Sequence, residues 1–154
     1  MKKSLSSLSL VSSLLISGQA LADDFSIVKV VQPYRMLVLS STGGHTLEQY
    51  PILSLDLPYS SQLGTITGIS YDSTSFSDSS SETAELCYHL AYQNNPVTCQ
   101  AIIPNFTGEV TAFNGLGFRN GVKVSVHHRV EATGSFHYLQ PTKEESITFH
   151  YTVD

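Results

Sequence analysis

Apolar residues recur at every second position over long stretches of the chain, the spacing of strands that bury one face. The clearest case is Val122 to Glu131. Val122, Val124, Val126, His128 and Val130 share one face there, and Lys123, Ser125, His127, Arg129 and Glu131 share the other. Ile147, Phe149, Tyr151 and Val153 repeat the pattern against Ser146, Thr148, His150 and Thr152. Phe25 to Val31 is a β-branched run ended by Pro33, which predicts an edge strand because proline cannot donate to a ladder. Tyr34 to Ser40 reads as a strand running into the turn cluster Ser41-Thr42-Gly43-Gly44, and Leu63 to Tyr71 as another whose Gly64 and Gly68 mark bulges or close backbone approach. Ile52 to Leu57, where Leu53, Leu55 and Leu57 alternate with Ser54 and Asp56, is expected to be a further strand, closed by Pro58. Asp72 to Thr83 is serine-rich, acidic and without apolar period, and is expected to be a mobile loop. Glu144 and Glu145 lie in a turn, PTKEES, and are expected to be solvated. With no amphipathic helix evident after the N-terminal segment, the pattern predicts one domain, an antiparallel, immunoglobulin-like β-sandwich.

The chain holds two cysteines, symmetric about the turn-like Gln93-Asn94-Asn95-Pro96 within Ala84 to Ala101. Strands folded back about residue 93 set Cys87 opposite Cys99, within disulfide reach. Closing a ring of about a dozen residues is worth roughly 3 kcal/mol in the chain-entropy account. The alternative is a pair of free buried thiols.

The opening 22 residues carry Lys2 and Lys3, an apolar run from Leu5 to Ile16, and Ala20-Leu21-Ala22 ahead of two acids. They read as a signal peptide cleaved near Ala22, which leaves residues 23 to 154 as the exported domain. The lysine-led leader points to a Gram-negative periplasmic or secreted product in a compartment where a disulfide forms. The apolar run is too short and too serine-rich to span a bilayer, and no later stretch is long enough either. Cleavage leaves six basic residues against thirteen acidic ones, about −7. Such a domain repels phosphate backbones, so nucleic acid is not an expected partner.

Candidate chemistry is sparse. His127 and His128 are adjacent, and the strand pleat sends them to opposite faces, so the pair cannot chelate one ion. A site would need one of them with His137, His150 or His89 from other strands, and no short-spaced ligand pattern announces it. His128, on the apolar face, is expected in the core or an interface, with backbone or tyrosine partners for its ring nitrogens. A calcium site from Asp72, Asp78 and Glu82 lacks the spacing and turn glycine of a calcium loop. No serine stands in Gly-x-Ser-x-Gly or Ser-x-x-Lys, and no two acids are placed to flank a glycosidic bond. The reading is therefore a non-enzyme with no cofactor or metal. Tyr59, Tyr88, Tyr92 and His127 are the candidates for contact with a protein partner or a sugar.

From Leu63 onward the landmarks are Gly64-x-Ile66-Thr67, Tyr71, Leu86-Cys87, Cys99, Gly108, Phe113, the valine strand from Val122, Leu139-x-Pro141 and Ile147-x-Phe149-x-Tyr151. This order resembles the flagellar accessory protein FlhE family over about the last ninety residues. Here the cysteines are more widely spaced, and Asp23 to Tyr59 has no obvious counterpart. The resemblance implies a small exported β-sandwich acting by protein contact in the cell envelope, in flagellar assembly or its proton economy, with no catalytic residues. The leader, single disulfide and closing Ile147-x-Phe149-x-Tyr151 also resemble chaperone-usher fimbrial subunits. That likeness implies that Phe25 to Val31 is donated to a neighbour's sheet.

Overall fold

The computed structural model describes residues 24–59, 62–76 and 81–153, so the expected leader and its cleavage point lie outside the described residues. Eleven strands form among them: β1 (Asp24–Val31), β2 (Met36–Leu39), β3 (Gly43–Pro51), β4 (Gly64–Asp72), β5 (Glu82–His89), β6 (Thr98–Ile102), β7 (Thr107–Val110), β8 (Gly117–Phe118), β9 (Lys123–Val130), β10 (His137–Leu139) and β11 (Glu145–Val153). They make two antiparallel sheets. One has the order β1-β11-β4-β7, with β8 also on β4, and the other the order β10-β2-β3-β9-β5-β6. This is the predicted sandwich. No helix among the described residues is long and apolar enough to cross a membrane.

Alternation places the core between the sheets. Tyr50, Leu86, Tyr88, Val124, Val126 and Val130 point inward from one sheet, and Ile66, Ile69, Ile147, Phe149 and Tyr151 from the other. Tyr151 is held on both sides, its ring 4.2 Å from that of Phe118 and 5.5 Å from that of Phe25. A smaller cluster of Met36, Val38, Phe76, Val130 and Leu139 closes one end. Each fully buried aliphatic or phenyl side chain contributes about 1.5–3 kcal/mol.

Several expectations hold in detail. β1 is an edge strand, paired with β11 from Asp24↔Thr152 to Val31↔Glu145. Cys87 lies opposite Cys99 in the β5–β6 hairpin, and the two sulfurs are bonded. Gly68 sits at a bulge: β4 pairs Gly68 with His150 and then Ile66 with Tyr151, which leaves Thr67 as the extra residue.

Three expectations are corrected. Residues 52–57 are not a strand. Asp56 accepts the Leu53 backbone N–H at 2.6 Å and Lys29 Nζ at 2.6 Å, winding Ser54–Asp56 into a single 3-10 turn with Leu53 and Leu55 exposed. The ladder strand here is the preceding segment, Gly43–Pro51. Of the expected mobile loop, residues 73–76 are not solvated: Ser73, Thr74 and Phe76 are buried and the backbone is tied to Phe106, Asn105 and Thr142, Glu82 and Thr83 belong to β5, and residues 77–80 lie outside the described residues. Glu145, expected in solvent, is fully buried. The reason is a set of donors waiting for it inside the sandwich, described next.

Candidate functional site

Two features stand out from the plain packing, a charged network inside the sandwich and a mixed surface on the outside of the six-stranded sheet.

The network centres on His128. Its inward position on β9 follows from the alternation of the valine strand. Glu82, at the start of β5, accepts from Nδ1 at 2.7 Å, and Glu145, at the start of β11, accepts from Nε2 at 2.8 Å. Glu145 also accepts the Tyr50 hydroxyl at 2.7 Å and the Thr74 N–H at 3.3 Å, while Glu82 accepts the Phe76 N–H at 2.9 Å. The imidazole donates from both nitrogens, as only its protonated form can. Burial alone would push its pKa down. The hydrogen bonds and charges of Glu145 and Glu82 outweigh that and raise it to about 9. The Tyr50 hydroxyl is driven far above its ordinary value by burial and by Glu145. His128 is thus a core histidine as expected, but its partners are two carboxylates and not backbone or tyrosine. The network joins both sheets and the strap 73–76 at the boundary between the two apolar clusters, with the Phe76 ring 5.4 Å from the imidazole.

Outside, the pleat and register of the six-stranded sheet set side chains in rows. Tyr138 lies opposite Leu37. His45 is opposite Arg129, and Thr83 flanks Arg129 on the other side. In the next row Leu47, His127, Glu85 and Ala101 follow one another across β3, β9, β5 and β6. The row after that ends in the Cys87–Cys99 bond. At the β10–β2 edge Phe136, Tyr138, Leu37 and Leu39 are exposed, and the Arg35 guanidinium lies 4.3 Å over the Tyr138 ring. Toward the middle, an open hollow of about 530 Å³ is lined by Thr42, His45, Ser81, Thr83, His127 and Arg129 among others.

The sequence-predicted residues do not converge. His127 is half-buried on the outer face, its Nδ1 3.6 Å from Glu85 Oε1, and burial and then Arg129 hold its pKa below the ordinary value. Tyr92 is exposed, with a left-handed φ of 64° and its ring against Gly121. Tyr59 is exposed as well. Tyr88 is corrected: it is fully buried, its ring 5.6 Å from that of Phe113 and its hydroxyl donating to the Gly117 carbonyl at 2.9 Å, so it presents nothing to a partner. β5 turns its even-numbered residues inward, and Tyr88 is one of them.

The weighed ligand sets are dispersed too. His89 pairs with Ser125, and His150 with Ser70 on the outside of the other sheet. His137 stays beside Ser135. Asp72 is engaged by Lys143 and Thr107, Glu82 points inward, and Asp78 lies outside the described residues. Glu85, Cys87 and Cys99 do lie together, with the two sulfurs bonded to each other.

No known family profile matches the chain. No curated protein sequence matches it either. Among solved structures, a crystal structure of FlhE superposes with a TM-score of 0.57 at 12% identity, covering 84% of this chain and 98% of that one. At that identity the likeness is one of fold.

Proposed function

We propose that this protein is a non-enzymatic accessory of the bacterial cell envelope, exported through its N-terminal segment, acting by contact with another protein, with flagellar assembly as its setting. The fold likeness to FlhE over nearly the whole of that chain supports the setting. The disulfide supports an oxidising compartment. The single observation that carries the mode of action is the outer face of the six-stranded sheet. There Leu37, Leu39, Leu47, Phe136 and Tyr138 are exposed in a run that continues into His127, Arg129 and Glu85. An apolar patch rimmed by charge is the usual make-up of a protein-contact surface. The fimbrial alternative needs Phe25 to Val31 to leave its own sheet, yet β1 completes an eight-residue ladder with the chain's own β11. A sugar-binding platform loses Tyr88 to the core.

The test is genetic complementation in the source bacterium. Deletion should impair flagellar assembly or swarming. The doubly substituted Leu39→Glu, Tyr138→Glu protein should be exported and oxidised normally yet behave like the deletion. Val28→Glu with Val30→Glu, exposed on β1 of the opposite sheet, should complement fully. Intact motility in the deletion strain removes the flagellar setting. Full complementation by the Leu39, Tyr138 variant removes the contact face.

A further inference from the structure

Where β4 begins and β5 ends, a half-open hollow of about 390 Å³ lies apart from the buried network and from the contact face, and shares no residue with either. Gly64, Gly117 and Phe118 line it from the five-stranded sheet, and Leu90, Ala91 and Gln93 from the turn that follows β5. The volume falls within the roughly 300–1,000 Å³ of small-molecule sites. Its floor belongs to the core, since Phe118, Val122 and Ala91 are buried, and the exposed Leu63 extends that apolar surface to the rim. The polar side chains are few: Thr65, Gln93 and Arg119.

Arg119 is the cation of this hollow, and it stands uncommitted. Elsewhere Lys29 and Lys143 each pair with an aspartate, Lys123 reaches Gln49, Arg35 lies over Tyr138 and Arg129 lies beside His127. The Arg119 side chain has no hydrogen-bond, ion-pair or ring partner among the described residues, in a chain whose acids outnumber its bases. The walls around it are fixed in advance. Tyr92 holds a φ of 64°, a region that residues with side chains seldom occupy. Its N–H donates to the Gly121 carbonyl at 3.3 Å, and its ring packs where a Cβ on Gly121 would lie 2.8 Å away. Gly121 in turn donates to the Ile52 carbonyl at 2.9 Å, so the turn at 90–93 and the turn at 119–122 are docked as one unit. Backbone held in such sparsely populated conformations collects at ligand sites.

We propose that this hollow binds a small amphiphilic carboxylate, a free aliphatic acid of medium chain length. The carboxylate sits on the Arg119 guanidinium, whose planar fork matches it with two parallel hydrogen bonds, and the alkyl chain covers Phe118, Val122 and Leu63. A single charge at the edge of an apolar floor sets the order of preference. An alkylammonium meets Arg119 as a like charge, an alcohol forfeits the ion pair, and a short anion such as acetate leaves the floor uncovered.

The experiment is titration of the oxidised, exported protein with octanoate, 1-octanol, octylammonium and acetate, read by calorimetry and by backbone amide signals in NMR. Saturable one-to-one binding of octanoate is expected, with shifts confined to residues 63–65, 90–93 and 117–122. Octanol should bind several-fold more weakly, and octylammonium and acetate should not saturate. R119A should weaken octanoate about three- to tenfold and leave octanol unchanged, because a rim ion pair is worth less than a buried one. R119K should fall between wild type and R119A, and L63S should weaken octanoate and octanol alike. Arg119 and Leu63 are exposed, and an unchanged circular dichroism spectrum establishes that each variant is folded. Octanoate binding that survives R119A intact, equal binding of octylammonium, or acetate saturating as octanoate does overturns the site. Tighter binding of a Gly-Ser-Gly-Leu peptide with a free C-terminus than of octanoate overturns the free acid as occupant in favour of a protein C-terminus. The assay contains no partner protein, so its outcome is separate from that of the contact reading.

Discussion

Replacing His128 removes an imidazolium that two buried carboxylates share. In the folded protein the imidazolium donates to Glu82 and Glu145, and its pKa stands at about 9 against an ordinary 6.5. A raised folded-state pKa gives stability that is complete below 6.5 and drains away as pH climbs through 9. At about 1.4 kcal/mol per pH unit, that stabilisation is about 3 kcal/mol. His128→Leu keeps the volume roughly and takes the imidazolium away from Glu145 and Glu82, which costs about 3–5 kcal/mol near neutrality. Without the imidazolium the buried carboxylates take up protons more readily, Glu145 above all, so the variant recovers as pH falls. The gap in unfolding free energy between wild type and His128→Leu should therefore be widest near pH 7 and shrink on both sides. Below pH 7 the variant gains, and toward pH 9.5 the wild type loses. Urea titrations followed by tyrosine fluorescence, at half-unit steps from pH 5 to 9.5, measure the gap directly. His128→Gln, which still donates one hydrogen bond, should fall between the two proteins. A gap that is constant with pH would refute the reasoning, because it would mean that His128 contributes packing alone and carries no charge inside the sandwich.

Other outcomes follow from single features. Cys87→Ser or Cys99→Ser opens a link between residues twelve apart and should cost about 3 kcal/mol. Amide exchange should accelerate first in Thr98–Ile102, the edge strand that the bond holds. Gly43→Ala meets two penalties, a φ of 74° and a Cβ that would lie 2.1 Å from the Val130 carbonyl oxygen, so a loss of at least about 2 kcal/mol is expected in the urea midpoint. Gly134→Ala has a similar φ of 80° and open space, and should cost only about 1 kcal/mol. Equal losses for the two would mean that the contact with Val130 relaxes freely.

The strands with strict alternation were legible, because β9 and β11 bury one face against a continuous core and the period is therefore clean. The hairpin was legible because its two cysteines and its turn agree on one register. What escaped depended on partners distant in sequence. Leu53, Leu55 and Leu57 alternate as a strand does, but the Asp56 carboxylate captures a local N–H and Lys29, and the local bonds win. β3 contains two glycines and a glutamate, poor strand formers that survive because both neighbouring strands supply ladders. The serines and threonines after Asp72 look soluble, yet Phe76 drags the strap inward and its backbone donors find Glu82 and Glu145. The sequence did carry one signal for the network. Glu145 is in phase with Ile147, Phe149 and Tyr151, so the alternation that made β11 a strand already pointed that acid into the core. His45 and His127 could not be linked from spacing at all, since only the β3–β9 pairing makes them neighbours.

β11 lies between β1 and β4, so the five-stranded sheet has the most C-terminal of the described strands at its centre and the most N-terminal at its rim. The Tyr50–Glu145 bond likewise spans 95 residues. Neither the central pairing of this sheet nor that bond can form before β11 has been made, and a topology with such high contact order folds slowly. Until β11 is in place, β1 and β4 have no strand to pair with between them and the sheet cannot close. The five-stranded sheet is therefore closed by a strand made after both of its neighbours, which enters between them and completes two ladders at once.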